Sequence, residues 1–131
     1  MKYFTIRELT KSLTADVKGI DNTPTPEIES NLTSLVDNIL DPLRELYGKP
    51  ITVNSGYRCP AVNKAVGGSA TSDHVKGFAA DITAGSKEEN ERLFNIIKHN
   101  FHFSQLIDEK NFSWVHVSYD PNKLKNQTLK L

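Results

Sequence analysis

Cysteine is almost absent from this sequence. Cys59 is the only one among 131 residues, so no disulfide can close within the chain and no paired-cysteine metal site can form. Cys59 is left the role of a small, partly buried apolar residue, and any metal must be held by histidine, aspartate or glutamate. Charge of one sign is missing too: sixteen Lys and Arg side chains balance sixteen Asp and Glu. Without a net field, neither nucleic acid nor an anionic membrane is an expected partner. No apolar run is long enough to span a bilayer. The opening residues, Met1 to Ser12, lack the apolar stretch and small-residue cleavage site of a secretory signal, so the expected place of synthesis is the cytoplasm. Internal repeats and low-complexity tracts are also lacking. The length suits one monomeric domain able to bury a core without covalent staples. It is read as a single unit over 1–131, an N-terminal helix and loop (1–24) followed by the core (25–131).

What is present begins with helix signals. Thr5-Ile6-Arg7-Glu8 is a capping box that predicts one short helix ending before the loop Lys18 to Pro26. Thr25 reads as an N-cap with Pro26 at the first helical position. From there Ile28, Leu32, Leu35, Val36, Ile39, Leu40, Leu43 and Leu46 recur at helical spacing, a stripe that faces a core. Pro42 predicts a kink and Gly48 the end. After Ile51 the period changes to a short strand running into a turn, then a glycine- and serine-rich loop, Lys64 to Gly77, of the kind that displays functional side chains. Phe78 to Thr83 is a strand, and Ser86-Lys87-Glu88-Glu89 opens a helix carrying Leu93, Ile96 and Ile97. Phe103–Asp108 and Phe112–Tyr119 close the chain as a hairpin around Lys110-Asn111. His99 and His102 fall at the end of the preceding helix, where a cation complements the helix dipole. The order predicts an α+β fold with a small antiparallel sheet.

Alternation along strands puts Phe78, Ala80 and Ile82 on one face and Asp81 on the other. It likewise separates Val115, Val117 and Tyr119 from Trp114, His116 and Ser118. If both apolar faces cover one core, Asp81 and His116 share the opposite face, and His74 in the loop before the strand can supply a third ligand. Two imidazoles and a carboxylate leave one coordination position open, the arrangement of catalytic zinc. Such an ion activates water and polarises a carbonyl, as amide hydrolysis requires. Gly77 would turn the backbone between ligands and Ser72 would orient one of them. Residue pattern alone leaves alternatives open. His74 as a solvated loop residue, His116 as a hydrogen-bonded, partly buried one, and Asp81 paired with Arg58 or with turn amides all satisfy it.

Three ordered motifs narrow the choice. Ser55-Gly56-Tyr57-Arg58-Cys59-Pro60, the Ser-x-His-x-x-Gly-x-Ala-x-Asp run from Ser72 to Asp81, and Trp114-Val115-His116 together resemble the M15 family of zinc peptidases. Within it, the subgroup of D-alanyl-D-alanine carboxypeptidases and phage-type peptidoglycan endopeptidases is the most similar. The resemblance runs from about Ile51 to Tyr119. It implies a hedgehog-like or D-Ala-D-Ala-peptidase-like α+β fold, with helices on one face of the sheet and zinc on the opposite face. It further implies one Zn2+ on His74, Asp81 and His116, and the peptidoglycan stem peptide as substrate. Arg58 would meet the substrate's carbonyl or carboxylate, with Ser72 and Trp114 beside the substrate. One departure stands out. Many members carry an acid three residues before the last histidine as general base, and here that position is Ser113. Glu109, after Gln105-Leu106-Ile107, is the first substitute and Asp108 the second. Action on the wall from a chain without a leader implies release by a phage-type lysis pore or carriage on a virion. The competing expectation is a non-catalytic module that holds zinc or a cell-wall peptide, favoured by the serine at 113.

Overall fold

Each of the first three helices of this protein starts where a hydroxyl side chain captures a free backbone amide. The computed structural model describes all 131 residues. Thr5 accepts from the Glu8 amide at 3.1 Å and opens α1 (Ile6–Thr10). A single N-terminal helix was the expectation, but there are two. Lys11 is extended, and Ser12 begins α2 (Leu13–Lys18) by accepting from the Ala15 amide. A second capping residue directly after the first helix restarts the ladder rather than extending it. Thr25 and Pro26 open α3 (Pro26–Leu35) as the sequence predicts.

Pro42 acts earlier than a simple kink would. It has no amide to donate, and the chain widens into a π-helical turn, Val36–Leu40, before α4 (Asp41–Tyr47), with the Asp41 amide reaching back to the Val36 carbonyl. Leu32, Leu35, Val36, Ile39, Leu40 and Leu43 are fully buried. Leu46, expected in the same stripe, is 58% exposed. The added residue of a π turn rotates the rest of the helix by about 100°, and Tyr47 rather than Leu46 packs inward. Gly48 then closes α4 in the left-handed region, φ 81°.

The sheet has five strands in the order β1-β2-β4-β3-β5: β1 Thr52–Ser55, β2 Ala79–Thr83, β3 Gln105–Glu109, β4 Trp114–Ser118 and β5 Gln127–Lys130. All neighbours are antiparallel except β3 and β5. Two elements went unforeseen. β5 carries no apolar alternation because it is an edge strand with both faces largely exposed. α5 (Pro60–Ala65) starts on Pro60 directly after the extended Cys59, and six residues are too few to show a helical period. Between β2 and β3 runs α6 (Lys87–Asn100). Ser86 accepts from the Glu89 amide at 3.2 Å, but the Glu89 carboxylate turns away to the Tyr47 hydroxyl at 2.7 Å, so half of the expected capping box forms.

One apolar cluster joins the helical stripe to Leu93 and Ile97 of α6 and to Ala80, Ile82, Leu106, Val115 and Val117 of the sheet. Phe4 and Leu9 belong to it, so the N-terminal segment is built into the same core. No helix is long and apolar enough to cross a membrane.

Gly56, just after β1, lies against α1. The Tyr57 amide donates to the Leu9 carbonyl at 2.7 Å, and a Cβ on Gly56 would collide with that same carbonyl oxygen. Gly56→Ala is therefore expected to destabilise the fold by about 1–3 kcal/mol, as overpacking does. Urea titration should show a lower midpoint at unchanged slope; an unchanged midpoint would mean that α1 yields freely.

Candidate metal centre and its cleft

His74 is positioned from three sides. Ser72 accepts from the His74 amide at 3.2 Å and caps a 3-10 turn, Asp73–Lys76, which Gly77 ends at φ 76°. A Cβ there would also press on Ile28. The ring is buried, and its Nδ1 lies 2.7 Å from the Gly56 carbonyl oxygen. A carbonyl only accepts, so Nδ1 carries the proton and donates, and Nε2 is the nitrogen presented to the cleft. That Nε2 stands 3.3 Å from Oδ1 of Asp81.

Asp81 and His116 are direct register partners across β2 and β4. Nδ1 of His116 lies 3.0 Å from the same Oδ1, and the two imidazoles meet edge to face with centroids 5.1 Å apart. One ligand atom from each of His74, Asp81 and His116 can be chosen so that all lie within 4.8 Å of one another. Tetrahedral zinc with ligand bonds of about 2.0–2.2 Å separates its ligand atoms by roughly 3.3 Å, so this donor set fits zinc with little adjustment. The electrostatics fit as well. With neutral imidazole, the Nε2 lone pair of His74 faces a carboxylate oxygen at 3.3 Å, and two electron-rich atoms hold that separation only with a proton or a cation between them. Burial by itself would raise the Asp81 carboxyl. Hydrogen bonding to His116 and His74, and the closeness of these rings, outweigh it and hold the carboxyl well below the usual carboxylate range.

Arg58 reaches the same cleft by a different route. Asn22, in the loop before α3, donates to the carbonyls of Thr10 (2.8 Å) and Tyr57 (3.1 Å) and accepts from the Cys59 amide at 2.8 Å. The Arg58 amide donates to the His74 carbonyl at 3.1 Å. Its guanidinium has no ion-pair partner, and its Nε is buried without a hydrogen-bond acceptor. The alternative in which Arg58 pairs with an acid to fasten the loop is thus not what the side chain does. Burial lowers its pKa while the nearby Asp81 charge raises it. Arg58 lines the cleft, and a guanidinium without an ion-pair partner there is a ready donor for a bound carbonyl or carboxylate.

The cleft measures ≈ 750 Å³, and its lining includes Arg58, Ser72, His74, Asp81, Glu109, Trp114 and His116. The two candidate bases separate. Glu109 is among the lining residues. Asp108, one residue earlier on the strand, is buried on the other side, where its carboxylate accepts from the Phe112 amide at 2.6 Å and braces a turn of three left-handed residues, Lys110 to Phe112. Ser113 is a turn residue: its hydroxyl donates to the Lys110 carbonyl at 2.7 Å and its amide to the Glu109 carbonyl at 3.0 Å. His99 and His102 are exposed at the end of α6 and do not line this cleft. Sequence reasoning overlooked Asn22, since nothing distinguishes it from any other polar loop residue. It also overlooked Lys123 and Lys125, which line the cleft from beyond the last motif.

A model of the peptidase M15 family matches residues 2–118. Over 49 residues, 37% of this chain, the sequence is 49% identical to the zinc D-Ala-D-Ala carboxypeptidase of Streptomyces albus G. The matched stretch covers 19% of the length of that relative.

Zinc titration of the metal-free protein should end at one ion per chain. With free zinc at 100 times its Kd the fold should gain about 2.7 kcal/mol, read as a higher melting temperature. Asp81→Asn should lose most of that gain. A variant that takes up zinc like the parent would place the ion elsewhere.

Proposed function

The chain belongs to the peptidase M15 family, whose members are zinc peptidases, and from that premise we propose that it hydrolyses an amide bond in the stem peptides of bacterial peptidoglycan. The observation that carries this reading is the convergence of His74, Asp81 and His116 on one carboxylate oxygen, in a cleft that also holds Glu109 and an unpaired Arg58. The sheet would then divide the labour, with helices and core behind it and the metal on its other face.

His74, Asp81 and His116 would hold the zinc, which when bound would supply Lewis acidity to polarise a carbonyl and lower the pKa of water to about 7. The protein's own groups do the rest. The Gly56 carbonyl fixes the His74 tautomer so that Nε2 is available as a ligand. Glu109 pairs with Trp114 across the hairpin while Ile107 pairs with His116. Glu109 is therefore a diagonal neighbour of His116, at a spacing of roughly 7–8 Å that a glutamate side chain bridges. It takes the proton of the attacking water and returns it to the leaving amine. The Ser113 amide donates to the Glu109 carbonyl, so Glu109 stands close enough to position 113 to serve in place of the acid missing there. Arg58 points unpaired donors at the place where negative charge develops on the carbonyl oxygen, or grips a terminal carboxylate. Ser72 holds the loop that carries His74, and Trp114 forms a wall against which substrate packs.

The serine at 113 also favours a second reading, a non-catalytic module that holds zinc or a wall peptide. Zinc-loaded protein incubated with cell-wall fragments, with and without chelator, separates the two by mass spectrometry. New amines that appear only without chelator support the peptidase. Stoichiometric zinc with no amine released from any wall type supports the binding module. A stem peptide offered with a free or a blocked C-terminus distinguishes carboxypeptidase from endopeptidase.

Glu109→Gln should lower kcat by about 10²–10⁴-fold with zinc content unchanged. Asp108→Asn should leave kcat near the parent value and act through the stability of the turn. The reverse pattern would move the base to Asp108. Arg58→Gln should lower kcat by roughly 10²-fold or more if the guanidinium stabilises the oxyanion. It should raise KM alone if Arg58 only grips a terminal carboxylate.

A further inference from the structure

The segment after β4 carries a second cationic feature of the cleft. Lys123 and Lys125 line it together with Ser104 and Gln105, and they lie beyond residue 118, where the family match ends. Their backbone is fixed at both ends. The Asp120 amide donates to the Ser104 hydroxyl at 2.8 Å, and the Lys123 amide to the Asp120 carbonyl at 2.8 Å. On the far side Asn126 clasps Phe103, its amide donating to the Phe103 carbonyl at 2.8 Å and its side-chain oxygen accepting from the Phe103 amide at 3.0 Å.

Neither lysine forms an ion pair, and neither does Arg58. The acids that line the cleft are Asp73, Asp81, Glu109 and Asp120. Buried Asp120 accepts from the Asn122 amide at 3.0 Å. Asp81 is engaged by the imidazoles, and Asp73 sits beside His74 in sequence. Glu109 is at the opposite end of β3, four residues from Gln105 and so about 13 Å along the strand. At the Gln105 end two lysines without ion pairs thus outnumber one carboxylate, Asp120, while Glu109 lies at the other end. Gln105 precedes Ile107, the register partner of His116, by two residues, or about 7 Å.

We propose that Lys123 and Lys125 form a carboxylate-recognition subsite that selects stem peptides bearing a free acid two or three residues from the scissile amide. The inference rests on the stem-peptide reading and adds a specificity to it. A fixed loop brings the two ammonium groups to the rim without acidic partners of their own, so an incoming carboxylate is their natural counterion. An amidated residue offers no charge and loses that contact. Rim charges of this kind act on encounter and affinity rather than on the chemical step.

The test uses one synthetic stem peptide in two forms, with that acid as carboxylate or as carboxamide. Binding to the metal-free full chain can be followed by tryptophan fluorescence, since Trp114 is the only tryptophan and lines the cleft; hydrolysis is measured with zinc. The parent should bind the carboxylate form roughly three- to tenfold more tightly, with a preference that fades as salt rises and appears in KM rather than kcat. Lys123→Gln with Lys125→Gln should erase the preference while leaving kcat on the carboxamide form unchanged, and the double arginine variant should keep it. Equal affinity of the parent for both forms, or a preference that survives the double glutamine variant, overturns the subsite and leaves the peptidase reading intact. Failure of the zinc-loaded parent to bind or cleave either form overturns both.

Discussion

The structure depends on how a carboxylate is kept ionised inside a strand. Asp81 is flanked on β2 by fully buried Ala80 and Ile82, and a charge in such a position is costly unless its neighbours neutralise it. Strand alternation turns the side chain away from the core, and antiparallel register delivers His116 to the same point from β4. Neither device would be enough alone. The second imidazole comes from a loop, and its arrival makes one oxygen the meeting point of three ionisable groups. The arrangement is stable only while positive charge, from a proton or a metal, lies among them.

Holding His74 at that point engages elements far from it in sequence. Its ring is oriented by the Gly56 carbonyl, and Gly56 is in turn pressed against the Leu9 carbonyl of α1. Asn22 ties the end of α1 to Tyr57 and Cys59, and the amide of Arg58, between those two, reaches the His74 carbonyl. The N-terminal segment therefore does more than fill the core with Phe4 and Leu9. It fixes the backbone that orients the imidazole of His74 and presents the guanidinium of Arg58. A loop supported in this way is held in place before any ligand arrives, which is the physical meaning of preorganisation.

How much of this could be read in advance varied with how local the cause was. The caps at Thr5, Thr25 and Ser86, the strands around Asp81 and His116, and the buried stripe of α3 and α4 are written in neighbouring residues. They follow from hydroxyl capping and from periods of two and 3.6. The family was legible because its motifs keep their order. Leu46 was misread because a π turn shifts phase without changing composition, and β5 because an edge strand with two wet faces has no pattern to show. Asn22 was invisible for another reason: its partners lie 12, 35 and 37 residues away, and only the folded chain brings them together. Asp108 and Glu109 are adjacent and chemically alike, and the choice between them is made by which face of β3 each occupies.

The same alternation governs the hairpin that leads to Ser113. A general base needs access to the water and a strand position that aims it, not a particular place in the sequence. In a tight hairpin, the residue before the turn lies close to the one that follows it. Here the Ser113 amide donates to the Glu109 carbonyl, so the two positions share one rung of the turn. The three left-handed residues between them, with the Asp108 carboxylate accepting from the Phe112 amide, keep that rung from fraying. Buried Asp108 stiffens the hairpin while Glu109 faces the cleft, and two consecutive acids are thereby given different work by the alternation that also separates Asp81 from its apolar neighbours.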